Sequence, residues 1–245
     1  LNQEITRVGF QNSIESNDSM NIMNYEYLYN GGGVGILDVN NDGLKDLFFT
    51  GSQQNNALYL NLGDLKFKDI SLEAGIEMPN TWSTGVSVID INADGLDDLY
   101  IGVGGMGNKS NHPNKLFINQ GDNTFKEMAE EYGLADMGET IQSVFFDYDK
   151  DGDLDVYLLT GGGFERSAII ARPINEEGQS RNTDRLYEST FDEKLNHPVF
   201  RDVSKKAGIQ IEGFGLGVAV VDANNDSWPD VYVSDDYLSR DLLYI

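Results

Sequence analysis

Four times along the chain, a short run of β-branched and aromatic residues gives way to a polar nonapeptide and then to a second such run. The pairs are GVGILD and DLFFTG, GVSVID and DLYIGVG, SVFFD and DVYLLTG, and GVAVVD and DVYVSD. Runs this short, rich in Val, Ile, Phe and Tyr, predict strands rather than helices. Three of the pairs lead into a further strand, turn and strand: ALYLNLGDLKFKDISLEAGI from Ala57, KLFINQGDNTFKEMAEEYGL from Lys115 and RLYESTFDEKLNHPVFRDVSKKAGI from Arg185. Each closes on Gly-Ile or Gly-Leu.

The unit is therefore four strands, and the nonapeptides start at Asp38, Asp90, Asp147 and Asp222, separated by 52, 57 and 75 residues. That spacing suits a propeller repeat of about 40 to 50 residues with small insertions; a β-helix period is shorter, and a sandwich does not account for repetition. The expected fold is all-β, a β-propeller or part of one. Its four-stranded blades cover approximately 31–76, 82–134, 141–209 and 213–245, the last incomplete. The wide third interval comes from a polar insertion, GGGFERSAIIARPINEEGQSRNTD, in which Arg166, Arg172 and Arg181 gather near Arg185. A tolerated surface loop is the common reason for such an insertion, although propeller loops also carry specificity.

The fourth repeat stops inside its third strand, at DLLYI. Either the chain is part of a longer one, or the N-terminal segment 1–30, around ITRVGF, supplies a closing strand. The first is favoured because four blades lie at the small limit for propellers. Leu1 is not an initiator methionine, no leader-like segment opens the chain, and no run of about 20 apolar residues occurs.

The nonapeptides DVNNDGLKD, DINADGLDD, DYDKDGDLD and DANNDSWPD place side-chain oxygens at positions 1, 3, 5 and 9, with glycine at position 6 in three of them. Oxygens converging where the backbone turns sharply are how proteins hold a hard divalent cation. The predicted side-chain ligands are Asp38, Asn40, Asp42 and Asp46; Asp90, Asn92, Asp94 and Asp98; Asp147, Asp149, Asp151 and Asp155; and Asp222, Asn224, Asp226 and Asp230. Position 7 adds backbone carbonyls from Leu44, Leu96, Asp153 and Trp228. Calcium fits better than magnesium, which keeps its waters, and better than zinc or copper, since cysteine is absent and neither histidine lies in a loop.

An EF-hand loop opens in the same way but needs a glutamate at position 12 and flanking helices. Position 12 is Phe49, Ile101, Leu158 and Val233, and the flanks are strands. An aspartate-rich turn with no metal is the plainer alternative; four copies at one spacing favour about four calcium sites. In the fourth, Ser227 replaces glycine and Pro229 follows, which makes it the weakest candidate.

The net charge is −24, and 13 of the 41 acidic residues are predicted ligands, so four calcium ions would bring it to about −16. The remaining excess argues against nucleic acid, which needs basic patches, and against anionic membrane surfaces as partners. Without cysteine there is no disulfide, and calcium loops of extracellular affinity point outside the cell.

Enzymatic patterns are scarce. His112 and His197 each precede proline and read as turn residues. Asp97 with Asp98 and Asp235 with Asp236 are strand neighbours that point to opposite faces, unlike a glycosidase pair. Gly31 to Gly33 and Gly161 to Gly163 suit close strand packing better than phosphate. Trp82 could stack on a sugar, while Trp228 reads as a core anchor.

GGGVGILDVNNDGLKDLFFTG with LYLNLGDLKFKDIS, and later DRLYEST, FRDVSKKAGI and GFGLGVAVVDANNDSWPDVYVSDDYLSRDLLYI, resemble FG-GAP/VCBS-repeat proteins. The nearer likeness is to the bacterial branch that carries an ASPIC/UnbV domain and is similar to cartilage acidic protein; the integrin α propeller is more distant. No ASPIC/UnbV segment follows here. The resemblance covers Tyr25 to Ile245 and implies a secreted or surface-exposed propeller with calcium in its loops, acting in adhesion or assembly. The expected function is thus a non-enzymatic module that presents rim loops to a protein or glycan partner. The alternative is a polysaccharide lyase or hydrolase built on the same scaffold. A third reading makes the chain a subunit of a larger cell-surface or outer-membrane complex.

Overall fold

The computed structural model describes residues 3–105, 112–161, 173–237 and 239–245. Among these, a single-turn helix α1 (Gln3–Thr6) precedes four antiparallel sheets. The first contains β1 (Val34–Leu37), β2 (Asp46–Phe49), β3 (Ala57–Asn61) and β4 (Phe67–Asp69), and leads into α2 (Ser71–Ala74). The second contains β5 (Ser83–Ile89), β6 (Asp98–Val103), β7 (Lys115–Asn119) and β8 (Phe125–Glu127), and leads into α3 (Ala129–Tyr132). The third contains β9 (Thr140–Phe146), β10 (Asp155–Thr160), β11 (Arg185–Asp192) and β12 (His197–Asp202). The fourth contains β13 (Gly215–Val221), β14 (Asp230–Asp235) and β15 (Leu242–Tyr244). Strands neighbour one another in chain order within every sheet, which is the blade organisation of a β-propeller.

The first strands of successive blades meet: β1 lies against β5, β5 against β9, and β9 against β13. So close an approach requires bare backbone. A Cβ on Gly85 would stand 2.5 Å from the carbonyl oxygen of Ile141, and one on Gly215 the same distance from that of Thr160. Gly33 is similarly confined, with a Cβ position 2.8 Å from the Val86 nitrogen. In the glycine runs, Gly32, Gly33 and Gly161 serve close packing, whereas Gly31 lies in open space with a left-handed φ of 84°; Gly162 and Gly163 lie outside the described residues.

Apolar cores fill the spaces between blades, because alternate residues of each second strand point to opposite neighbours. From β6, Leu99, Ile101 and Val103 join Phe48 and Leu58 of the first blade, while Tyr100 joins Val156 and Leu158 of the third. From β10, Tyr157 and Leu159 turn instead towards Val231 and Val233 of the fourth. Each fully buried side chain of this size contributes about 1.5 to 3 kcal/mol. The tyrosines keep their hydroxyls bonded: Tyr100 donates to the Leu134 carbonyl at 2.9 Å, and Tyr157 to Asp184 at 2.6 Å.

One polar device recurs just before each third strand. Asn56, Asn114, Asp184 and Asp241 accept backbone N–H bonds from Gly51, Val103, Thr160 and Asp235 at 2.7–3.0 Å. The second and third strands are thereby tied where they diverge.

Residues 3–30 form no strand, so ITRVGF does not supply a closing strand, the less favoured of the two alternatives. The segment is held by side chains instead of a backbone ladder. Val8 and Phe10 cover Leu47, Phe49 and Tyr59 on the outward face of the first blade, with the Phe10 and Phe49 rings stacked at 5.1 Å. Gly9 donates its N–H to the Tyr59 hydroxyl at 3.2 Å. Farther along, Tyr25, Tyr27 and Leu28 bury themselves with Trp82 and Phe214.

Candidate metal centres

Each nonapeptide connects the first two strands of its blade and turns through two left-handed residues. Position 4 is Asn41, Ala93, Lys150 and Asn225, with φ from 54° to 61°. Position 6 is Gly43, Gly95 and Gly152 at φ 85°, 84° and 97°, and Ser227 at 72°. A non-glycine residue held there costs roughly 1 to 2 kcal/mol, so Ser227 carries strain that the other three loops avoid.

This backbone folds the acidic side chains inward. The position 1 carboxylates of Asp38, Asp90, Asp147 and Asp222 accept the N–H of position 5 at 3.0–3.1 Å and of position 6 at 2.8–3.1 Å. Position 5 in turn accepts the N–H of position 7, from Leu44, Leu96, Asp153 and Trp228 at 2.8–3.1 Å. Ser227 donates to Asp222 as the glycines do to their own partners, so the fourth loop keeps the shared geometry despite its sequence.

Position 9 is buried in every loop. Asp46, Asp98, Asp155 and Asp230 are all 2% exposed or less. One oxygen accepts the N–H of position 2, from Val39, Ile91, Tyr148 and Ala223 at 2.7–3.2 Å. In the first three blades the other oxygen accepts the N–H of the third strand, from Asn61, Asn119 and Ser189 at 2.7–2.8 Å. Each such aspartate brackets loop, second strand and third strand together. Burial pushes the Asp98 carboxyl up to about 7 and that of Asp155 to about 6.

The third loop differs from its siblings at position 3. Asn40, Asn92 and Asn224 donate their carboxamide N–H to the position 5 carboxylate at 2.8–3.0 Å. Asp149 has no proton to donate, and the Asp149 Oδ1 and Asp153 Oδ1 atoms are enclosed without a hydrogen-bond partner. Carboxylate oxygens of Asp147, Asp149 and Asp151 lie within 4.8 Å of one another. Burial, followed by the neighbouring Asp151, raises the Asp149 and Asp153 carboxyls above their ordinary range. Crowded oxygens with unspent lone pairs fit a hard cation, whose charge would reverse those shifts.

Adjacent loops also touch. Asp97 accepts the N–H of Asp38 at 2.8 Å, and Asn41 donates to the Gly95 carbonyl at 3.1 Å, joining the first loop to the second. Lys150 of the third loop lies 4.5 Å from the centre of the Trp228 ring in the fourth. Asp97 and Asp98 thus have separate structural uses, as their opposite directions required. Sequence spacing had no signal for the loop-to-loop bonds, nor for the position 9 bonds to the third strand, since Asn61, Asn119 and Ser189 lie 15, 21 and 34 residues beyond their aspartates.

Three aromatic and histidine expectations change. Trp82 is 3% exposed, packed edge-on against Tyr25 at 5.6 Å, and offers no free face to a sugar. Trp228 is 47% exposed and anchors no core. His197 is not a turn residue: it begins β12, and its ring stacks on Tyr132 at 4.2 Å. Of the insertion arginines, Arg166 and Arg172 lie outside the described residues. Arg181 donates to the Met137 carbonyl, and Arg185 to the carbonyls of Ser180, Thr183 and Asp184.

Residues 38–101 and 102–158 match the family model of the FG-GAP-like repeat. Cartilage acidic protein 1 of Homo sapiens is 25% identical over 211 residues, which is 84% of this chain and 28% of that protein. The Xenopus tropicalis protein of the same name is 26% identical over 211 residues, covering 84% and 29%. The chain thus spans under a third of the length of these relatives. Among solved structures, an Agrocybe aegerita lectin, described as recognising non-reducing terminal N-acetylglucosamine, gives a TM-score of 0.43 at 15% identity. It covers 82% of this chain and 46% of its own.

Proposed function

We propose that this FG-GAP-like repeat chain is a non-enzymatic, calcium-stapled propeller module that works outside the cell by presenting loops to a protein or glycan partner, at a cell surface or within a larger surface complex. The observation that carries it is the third loop, where three carboxylates converge and enclosed oxygens lack donors. Side chains at positions 1, 3, 5 and 9 of all four loops, with the position 7 carbonyls, would hold the ions. Calcium would supply structural charge neutralisation, stiffening the link between first and second strands. Among the described residues no helix is long and apolar enough to cross a membrane.

The polysaccharide-cleaving alternative asked the insertion arginines to grip an acidic sugar. Arg181 and Arg185 are spent on backbone carbonyls and lend it no support.

Thermal unfolding in calcium and in excess chelator tests the proposal. With free calcium at about 100 times Kd, each occupied site adds roughly 2.7 kcal/mol, so the melting temperature should fall sharply in EGTA. A melt indifferent to EGTA overturns it.

A further inference from the structure

The third blade carries a longer outer hairpin than its neighbours. In the first two blades the third and fourth strands end at Asn61 paired with Phe67 and Asn119 paired with Phe125. Ser189 paired with Phe200 is the matching place in the third, since Ser189, like Asn61 and Asn119, donates to the position 9 aspartate. Beyond it the ladder runs on through Thr190, Phe191 and Asp192, paired with Val199, Pro198 and His197. The tip is held shut by Asp192, whose carboxylate accepts the N–H of Lys194 and Leu195 and whose carbonyl accepts that of Asn196.

The extension does not stand free. His197, at 9% exposure, lays its ring nearly parallel to that of Tyr132 in α3 of the second blade, at 4.2 Å and 12°. Between this brace and the second acidic loop lies a cavity of about 490 Å³, within the range of small-ligand clefts. Its walls include Asn92 and Asp94 of that loop, which would face the bound ion, with Gln120, Lys126, Asn196 and His197 around them.

The chemistry of these walls is particular. Gln120 Nε2 donates to the Ile118 carbonyl at 2.8 Å, which orients the amide and leaves Oε1 for a ligand. The 2.8 Å contact between His197 Nδ1 and the Pro198 carbonyl places a proton on Nδ1, leaving Nε2 as an acceptor. Asn196 is exposed and offers both a donor and an acceptor. Donors and acceptors interleave here beside stacked rings, with no deep apolar pocket for a peptide anchor. That mixture matches vicinal hydroxyls, each of which donates and accepts.

We infer that this cleft between the second blade and the hairpin of the third is a binding site for a neutral oligosaccharide. The inference rests on the proposed module and names the partner class and the place. Gln120 and Asn196 meet hydroxyls from opposite walls, and the hairpin extension exists to bring the second wall into reach.

The test uses the calcium-loaded chain with cello-, xylo-, manno- and chitotriose, read by isothermal titration calorimetry and saturation-transfer NMR. At least one should bind. Gln120→Ala and Asn196→Ala should each weaken that sugar about tenfold, and His197→Phe, which keeps the stack, should weaken it with little change in melting temperature. Failure of all four to bind overturns the inference, as does binding that the double Gln120→Ala, Asn196→Ala variant leaves unchanged. If EGTA still lowers the melting temperature in either case, the stapled module stands and the cleft assignment alone falls.

Discussion

In the second blade Asn92 donates to Asp94 inside the loop and Asn114 donates to Tyr100 before the third strand; in the third blade both places are taken by aspartate, Asp149 and Asp184. The backbones match, so the change is purely one of charge. The second blade neutralises its polar network with amide protons it owns. The third places carboxylates there instead: Asp149 Oδ1 has no donor, while Asp184 takes bonds from Tyr157 and Thr160 and is still pushed by burial towards its protonated form. Dependence on the medium is therefore built into the chain unevenly, although its repeats look alike.

The strongest way to break this comparison is at the part the two blades share. Asp98→Ala and Asp155→Ala each strip two buried N–H groups of their acceptor, those of Ile91 and Asn119 or of Tyr148 and Ser189. Each substitution should cost about 3 kcal/mol or more in chelator, since an orphaned buried donor costs about 1 to 3 kcal/mol. Denaturant unfolding in EGTA checks it. Unequal losses would mean that the blades differ in more than their amides.

How far the sequence revealed this divides along the same line. Strand flanks, blade spacing and inward-turned carboxylates are local matters of β-propensity and Asp/Asn/Gly turn chemistry, legible from a dozen residues at a time. The brace of His197 on Tyr132 joins residues 65 apart in the chain. The N-terminal segment reads as a strand by composition, but its side chains find the open face of the first blade before its backbone finds an edge. Trp228 looks like a core residue by type and is set outside by a turn that exposes position 7, with Lys150 as its neighbour.

The Asn114 and Asp184 pair is sharpened by pH. Burial pushes the Asp184 carboxyl up to about 6, although Tyr157 and Thr160 donate to it. The folded protein then holds a proton that the unfolded chain, with a carboxyl near 3.9, gives up. This contribution is complete below about pH 4 and is lost as pH rises through 6, by up to about 1.4 kcal/mol per pH unit. Asp184→Asn, which copies the second blade at this position, should make the fall between pH 4 and 6 shallower, leaving the shares of Asp98, Asp155 and Asp235, whose carboxyls burial also raises. An unchanged slope in urea midpoints would show that Asp184 is not the group responsible.

A smaller effect separates the two loops. Asp149→Asn restores the donor that Asn92 supplies and should stabilise the metal-free chain by about 1 kcal/mol, the worth of one hydrogen bond. Calcium affinity at that loop should fall at the same time. Asn92→Asp should do the reverse in the second blade. Stability in EGTA and calcium titrations read both signs, and equal signs would end the comparison.

The smallest effect tests the premise that all four loops share one backbone. Ser227 holds φ at 72° and still donates to Asp222 at 2.9 Å, so the inward-turned carboxylates dictate the conformation against the preference of the residue. Ser227→Gly removes that strain and should stabilise the chain by about 0.5 to 1 kcal/mol, the released strain being partly offset by the greater freedom of glycine in the unfolded state. Gly95→Ser should cost a similar amount, because Gly95 has the same left-handed backbone and the same bond to its own Asp90. Should Ser227→Gly destabilise instead, the fourth loop takes a different path when metal is bound, and the charge difference between blades would no longer rest on a common backbone.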